Sequence, residues 1–234
     1  MDKNVPKHIA IIMDGNRRWA RKRMLPVQAG HKAGAEALQK IIEDCLDIGV
    51  EHLTVYAFST ENWKRSQEEV AALMGLLKEY LNKIEKDIEG KDVRINVMGK
   101  ISELDEDIYK RIIRLHETTH NNSKLTFNIA LNYGGRDEII NATKSLAIEL
   151  NEGNIKLDDI NEELFNNYLY SSKSPDPDLI IRTAGEQRLS NFLLWQAAYS
   201  EFWYTDTYWP DFKKKDLIKA IEDFQKRTRK FGGA

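Results

Sequence analysis

The chain has 234 residues, of which 41% are apolar and 31% charged, with a net charge of −2. This is the balance of a soluble globular protein long enough to bury a sizeable core, and it excludes a global basic field for nucleic acid. The single cysteine, Cys45, excludes an internal disulfide and a cysteine-rich metal site.

The opening MDKNVPKH lacks the apolar stretch of a signal peptide, and no run nears the ~20 apolar residues of a membrane span. A cytoplasmic protein is therefore expected. There is no repeat, low-complexity segment or Pro/Gly/Ser-rich linker, so residues 1–234 read as one domain.

In chain order, Ile9 to Met13 form a short continuous apolar run, the pattern of a strand buried on both faces. It delivers Asp14, Gly15 and Asn16, then Arg17, Arg18 and Trp19. A carboxylate, a glycine turn and two guanidinium groups at a strand end suit an anionic ligand carrying a metal ion, phosphate or diphosphate first. A strand end with a solvated basic turn fits these residues equally. Pro26 argues against a helix through residues 21–28. Residues 30–50 predict a helix with Ala37, Ile41, Ile42, Cys45 and Ile48 on one face and Gly49 as its stop. His31, near its start, suits packing, capping or an anion contact.

Residues 52–59 predict a second strand, ending in the polar cluster Ser59, Thr60, Glu61, Asn62, then Trp63 and Arg65. From Gln67 to about Gly90 the longest helix is expected, with Val70, Leu73, Met74, Leu77, Leu81, Ile84 and Ile88 in one stripe. That stripe is either core or the wall of an apolar groove. Strands follow at 93–99 and 124–133, with helices at about 103–121, 136–150 and 161–170. Leu179 to Ile181 form a fifth buried strand, ending in Arg182, Gly185, Glu186, Arg188 and Ser190. Guanidinium forks and a hydroxyl in this spacing can grip a diphosphate. The apolar NFLLW, residues 191–195, reads as a sixth run, and a last helix is expected over 213–230.

Several chemistries are excluded by absence. There is no G-x-x-x-x-G-K-[ST], no G-x-G-x-x-G after the first strand, no G-x-S-x-G and no H-E-x-x-H. Asn16 stands where a phosphatase of the paired-aspartate kind carries its second aspartate.

Taken together, HIAIIMDGNRRWA, GHKAG, AFSTENWKR, NYGGRDE, DLIIRTAGEQRLSNFLLWQ and YWPDF resemble the cis-prenyltransferase family, in its bacterial undecaprenyl diphosphate synthase branch, in order and spacing across the whole chain. The resemblance implies an α/β fold, with a mostly parallel six-stranded sheet flanked by helices and an apolar tunnel between them. It implies condensation of isopentenyl diphosphate with an allylic diphosphate such as farnesyl diphosphate, using Mg²⁺. The implied product is undecaprenyl diphosphate, a lipid carrier precursor for cell-wall synthesis, delivered to the membrane surface by a homodimer.

By the same resemblance, Asp14 handles magnesium and the allylic diphosphate, which Gly15, Asn16, Arg17 and Arg18 cradle, with Trp19 and His31 close by. Ser59, Thr60, Glu61, Asn62, Trp63 and Arg65 match a mobile segment over the reacting carbons, with Asn62 as proton acceptor. Arg182, Arg188, Leu189 and Ser190 match the isopentenyl diphosphate site, and Glu201 a second magnesium ligand. The stripe from Val70 to Ile88 would wall the tunnel, and the basic Gly-Gly tail would complete the site across the dimer. Departures from the family pattern are Arg17 and Ala184 in place of glycines, Gln187 for a histidine and Val27 for a basic residue.

Overall fold

In the computed structural model, which describes residues 5–88 and 90–229, six strands form one sheet. They are β1 His8–Ile12, β2 His52–Ser59, β3 Val93–Met98, β4 Leu125–Tyr133, β5 Leu179–Arg182 and β6 Glu201–Tyr204. Their order across the sheet is β3-β4-β2-β1-β5-β6, and every pairing is parallel. The expected α/β architecture with a central parallel sheet is therefore present.

The helices are α1 Asn16–Lys22, α2 Val27–Ile48, α3 Gln67–Asp87, α4 Glu106–Thr119, α5 Gly135–Asn151, α6 Glu162–Asn167 and α7 Lys214–Gln225. Strand β1 is buried at every position, and its side chains alternate between two cores. Ile9 and Ile11 join the larger core; Ala10 and Ile12 join a smaller one with Tyr133, Ile180 and Phe192. This is the period-2 projection of a strand covered on both faces.

Three outcomes bear on the expectations. First, no helix runs through residues 21–28, as Pro26 implied: α1 ends at Lys22 and α2 begins after Pro26, its N-cap. Pro has no N–H to lose at a helix start, so it is tolerated there. Second, α2 spans 22 residues and α3 21, so α2 is the longer. Third, NFLLW is not a strand, since Ser190, Asn191 and Leu193 have left-handed backbone, which extended pairing cannot use. The sixth strand is EFWY, which pairs along β5.

In α3, Leu81 and Ile84, with Ile88 just beyond its end, are packed core, whereas Val70, Leu73, Met74 and Leu77 are only partly buried against it. The end of the chain beyond Arg229, including the Gly-Gly tail, lies outside the described residues.

Candidate active site

Going outward from β1, the chain moves to β2 on one side and to β5 on the other. The crevice beyond the carboxyl ends of β1 and β5 is thus a topological switch point, where open α/β sheets bind ligands. Ile12 pairs with Arg182, so β1 hands over Asp14 where β5 hands over Arg182.

Arg182 Nη2 donates to Asp14 Oδ2 at 3.0 Å. Its Nη1 donates to Ser190 Oγ at 2.9 Å and to the Arg188 carbonyl. The side chain is only 4% exposed, and Nε has no partner. Asp14 Oδ1 accepts the Gly15 amide at 2.7 Å and lies 3.4 Å from Arg18. Its main-chain carbonyl accepts from Thr183 Oγ1 at 2.7 Å and from the Trp209 amide at 3.0 Å. The carboxylate is therefore fixed from both sides.

Gly15 has φ +104, and a Cβ there would stand 2.8 Å from Tyr208 and 2.9 Å from Ala184. Only glycine turns the chain here without strain or collision. Ala184 itself holds φ +70, so its place in a glycine-type turn is filled at a backbone cost.

The segment after β2 is aimed by paired irregularities. Between Tyr56 and Phe58 β2 carries an extra residue, Ala57, and one step on β4 carries an extra Asn132 with φ +47. Bulges re-aim a strand end in this way, commonly beside functional sites. Ser59 then caps a 3₁₀ turn, Thr60–Lys64, with Asn62 Oδ1 accepting the Ser59 amide at 3.2 Å. Arg65 donates to Glu69 at 2.9 Å, and Arg17 reaches the same carboxylate at 3.4 Å, joining α1 to the start of α3. Glu61 accepts from Asn191 at 2.7 Å. Burial alone would raise its pKa, but hydrogen bonds from its own amide, Asn191, Ser59 and Thr60 outweigh that and leave it below the usual carboxylate range. The pKa of His31 is lowered by burial first, then by Arg65 and Arg17, and its Nε2 has no partner.

These groups border one cleft of about 790 Å³. It gathers Asp14, Gly15, Asn16, Arg17, Arg18, His31, Ser59, Glu61, Asn62, Arg65, Arg182 and Ser190 from the expected set. Arg21, Asn191 and the apolar Ile12, Met13, Tyr56, Ala57 and Leu73 complete it. Five arginines against two carboxylates make an anion-binding cleft with an apolar wall.

Other expected residues stand behind the cleft. Trp19 donates to Asp211 at 2.8 Å and Trp63 to Asn132 at 2.8 Å. Thr60 Oγ1 stands 2.7 Å from where Gly134 would carry a Cβ. Leu189 packs on the smaller core, and the Arg188 guanidinium pairs with Glu186 in solvent.

Glu201 does not join Asp14 within one chain. It pairs with Leu179 at the amino end of β6, three residues back from Tyr204, which is level with Arg182. That is about 10 Å along the strands, on top of two strand spacings of about 4.8 Å each. Ligands of one Mg²⁺ lie about 2.1 Å from it, so the two carboxylates of a single chain cannot share an ion. Glu201 instead accepts from Arg227 at 2.6 Å.

Sequence reading missed Asn191 and Asn132. Asn191 Oδ1 accepts the Arg136 amide at 2.8 Å while Nδ2 holds Glu61, tying the β5 loop to the β2 loop. Asn132 anchors Trp63 and donates to the Lys100 carbonyl at 3.0 Å. Both have positive φ, and their only sequence signal is asparagine in a turn-rich stretch.

A family model described as putative undecaprenyl diphosphate synthase matches residues 12–232. An isoprenyl transferase of Clostridium tetani is 54% identical, covering 98% of this chain and 90% of its own. Among solved structures, lavandulyl diphosphate synthase from Lavandula x intermedia, in complex with dimethylallyl diphosphate, superposes with TM-score 0.95 at 36% identity, covering 98% of this chain and 99% of that one. A probable undecaprenyl diphosphate synthase from Campylobacter jejuni gives TM-score 0.82 at 34% identity, covering 98% and 100%. With that agreement over nearly its full length, the chain belongs to the undecaprenyl diphosphate synthase family of cis-prenyltransferases.

Proposed function

We propose that this prenyltransferase joins isopentenyl diphosphate to an allylic diphosphate, farnesyl diphosphate first, and repeats the addition to make undecaprenyl diphosphate. The observation that carries this reading is the 3.0 Å bond between Asp14 and Arg182. It joins the arginine cluster after β1 to that after β5 within a single cleft, next to apolar side chains. Two arginine-bearing loops with one hydrophobic wall suit two diphosphate headgroups and a hydrocarbon.

Asp14, Arg17 and Arg18 hold the allylic diphosphate, and Arg182 and Ser190 the isopentenyl one. The allylic C–O bond breaks with its electron pair leaving on diphosphate, and the arginines stabilise that charge. The allylic carbon bonds to the isopentenyl double bond, held beside it in near-attack position. A proton is then lost to restore a double bond. Asn62 is a poor base, with its carbonyl already accepting from Ser59; the released diphosphate is the easier acceptor.

The residues fit Mg²⁺, which needs only one or two carboxylates and otherwise takes water and phosphate oxygens. Asp14 supplies one, since each of its oxygens keeps a lone pair beyond the Gly15 and Arg182 bonds. When bound, the ion neutralises diphosphate charge. The growing chain passes along Leu73, Met74 and Leu77, the half-buried part of the α3 stripe. No described helix is long and apolar enough to cross a membrane; a cytoplasmic homodimer delivering its product to the membrane surface completes the reading.

Purified protein incubated with farnesyl diphosphate, radiolabelled isopentenyl diphosphate and Mg²⁺ tests it. Thin-layer chromatography should show long polyprenyl products. No incorporation refutes the catalytic reading. Products stopping after one addition would make it a synthase of shorter chains.

A further inference from the structure

The turn between α1 and α2 exposes an apolar tip on a basic base. Met24 is 95% exposed and Leu25 43%. Met24 also holds φ +54, so a large apolar side chain is presented to solvent from a disfavoured backbone conformation. The turn is nonetheless firmly closed. The Met24 amide bonds to the Arg21 carbonyl at 3.1 Å and the Leu25 amide to the Ala20 carbonyl at 2.9 Å.

Three cations precede the tip. Arg23 is partly neutralised, stacked 4.2 Å over Trp19 and paired with Asp211. Arg21 and Lys22 are exposed and have no carboxylate partner among the described residues. Beyond Pro26 a groove of about 260 Å³ opens between α2 and α3, lined by Val27, Leu73 and Leu76, with Glu68 on its rim. It shares His31 and Leu73 with the main cleft.

We propose that this turn docks on an anionic phospholipid surface, with Met24 and Leu25 entering the headgroup boundary and Lys22 against lipid phosphates. Charge complementarity selects the occupant. A shallow apolar wedge flanked by free cations is the pattern of interfacial binding. Two side chains cover far less than the roughly 800 Å² per partner of a stable protein interface. The groove then leads from the bilayer face to the cleft. This deepens the delivery step of the proposed function, but its readout is vesicle binding without substrates, so it stands or falls apart from catalysis.

The full chain is mixed with phosphatidylcholine vesicles, with or without phosphatidylglycerol, and floated on a density gradient. Wild type should float with the phosphatidylglycerol vesicles, stay behind with phosphatidylcholine alone, and be released by high salt. Met24→Asp combined with Leu25→Asp should lower the bound fraction at least tenfold, and Lys22→Glu at least fivefold. Thermal unfolding of each variant checks that the fold is retained, and Lys22→Glu, a helix-end surface change, serves if the double variant unfolds. Wild type remaining soluble beside anionic vesicles overturns the assignment and leaves a protein as the occupant of the tip. Folded variants that float like wild type overturn it too.

Discussion

Replacing Asp14 by alanine separates the chemistry of the cleft from its stability. The change removes the acceptor of the Gly15 amide, the 3.0 Å pair with Arg182 and the 3.4 Å contact with Arg18. Stranding a wholly unpaired buried charge costs about 3–5 kcal/mol. Arg182 keeps Ser190 Oγ and the Arg188 carbonyl, and Asp14 is itself 30% exposed. The expected loss is therefore about 1–3 kcal/mol, a drop of several degrees in Tm for a domain of this size. Turnover should fall much further. One charge-stabilising group in a shielded site is worth about 10²–10³ in kcat, and here the metal and allylic diphosphate lose their anchor as well, so activity should nearly vanish. Asp14→Asn keeps one acceptor oxygen, for either the Gly15 amide or Arg182, which now use different oxygens, so it should recover only part of the Tm and none of the rate. The assay is single-turnover incorporation of radiolabelled isopentenyl diphosphate, with thermal unfolding alongside. A folded Asp14→Ala protein turning over within tenfold of wild type would remove Asp14 from the reaction.

Gly34→Ala puts a Cβ 2.4 Å from Asn16 Oδ1 and 3.0 Å from Trp209. Overpacking of this kind costs about 1–3 kcal/mol, and displacing Asn16 should raise KM for the allylic diphosphate; a urea midpoint and KM both equal to wild type would contradict the packing described here. His8 is a pH-dependent element away from the cleft. Its Nδ1–H donates to the Pro175 carbonyl at 2.6 Å, and Nε2 accepts from Thr54 at 2.6 Å. Burial, foremost, lowers its pKa from 6.5 to about 4. Between those values the unfolded chain binds the extra proton, so stability is complete above pH 6.5 and falls by about 3 kcal/mol as the pH drops to 4. Urea midpoints across that window should show the fall in wild type and a shallower one in His8→Gln; identical slopes would discount His8.

The strands that build the site were readable because both faces of the sheet are covered. Ile9–Ile12 and Leu179–Ile181 must then be apolar, and the polar residues that follow mark where each strand ends. EFWY was passed over because it is a four-residue edge strand without that apolar continuity, whereas the continuous NFLLW is folded into left-handed turns by Asn191 and its neighbours. Periodicity reports burial, and burial alone does not distinguish a strand from a packed turn. The positions of Asn132 and Asn191 depend on contacts with residues 69 and 130 places distant, which no local pattern carries. Glu201 was expected as a magnesium ligand from the family resemblance alone. It lies at the other end of the sheet because the chain must travel back before β6 can run parallel to β5.

The arrangement of charge in the cleft explains how it can hold a diphosphate without unfolding when none is bound. Four of its five arginines already have internal anions: Arg182 has Asp14, Arg18 has Asp14 and Glu186, and Arg17 and Arg65 share Glu69; beside the cleft, Arg188 has Glu186. Each of these carboxylates carries one charge, whereas a diphosphate presents several oxygens and more than one charge at once, so it can displace several such pairs together. The pairs differ in how readily they yield. Arg182 is 4% exposed and held by three acceptors, so it is preorganised and moves little. Arg188 is 62% exposed and held only by Glu186. A fixed cation at the switch point sets where charge is stabilised, and exposed cations at the rim adjust to each headgroup. Such a division lets the reacting bond be held in one place while substrates enter and leave.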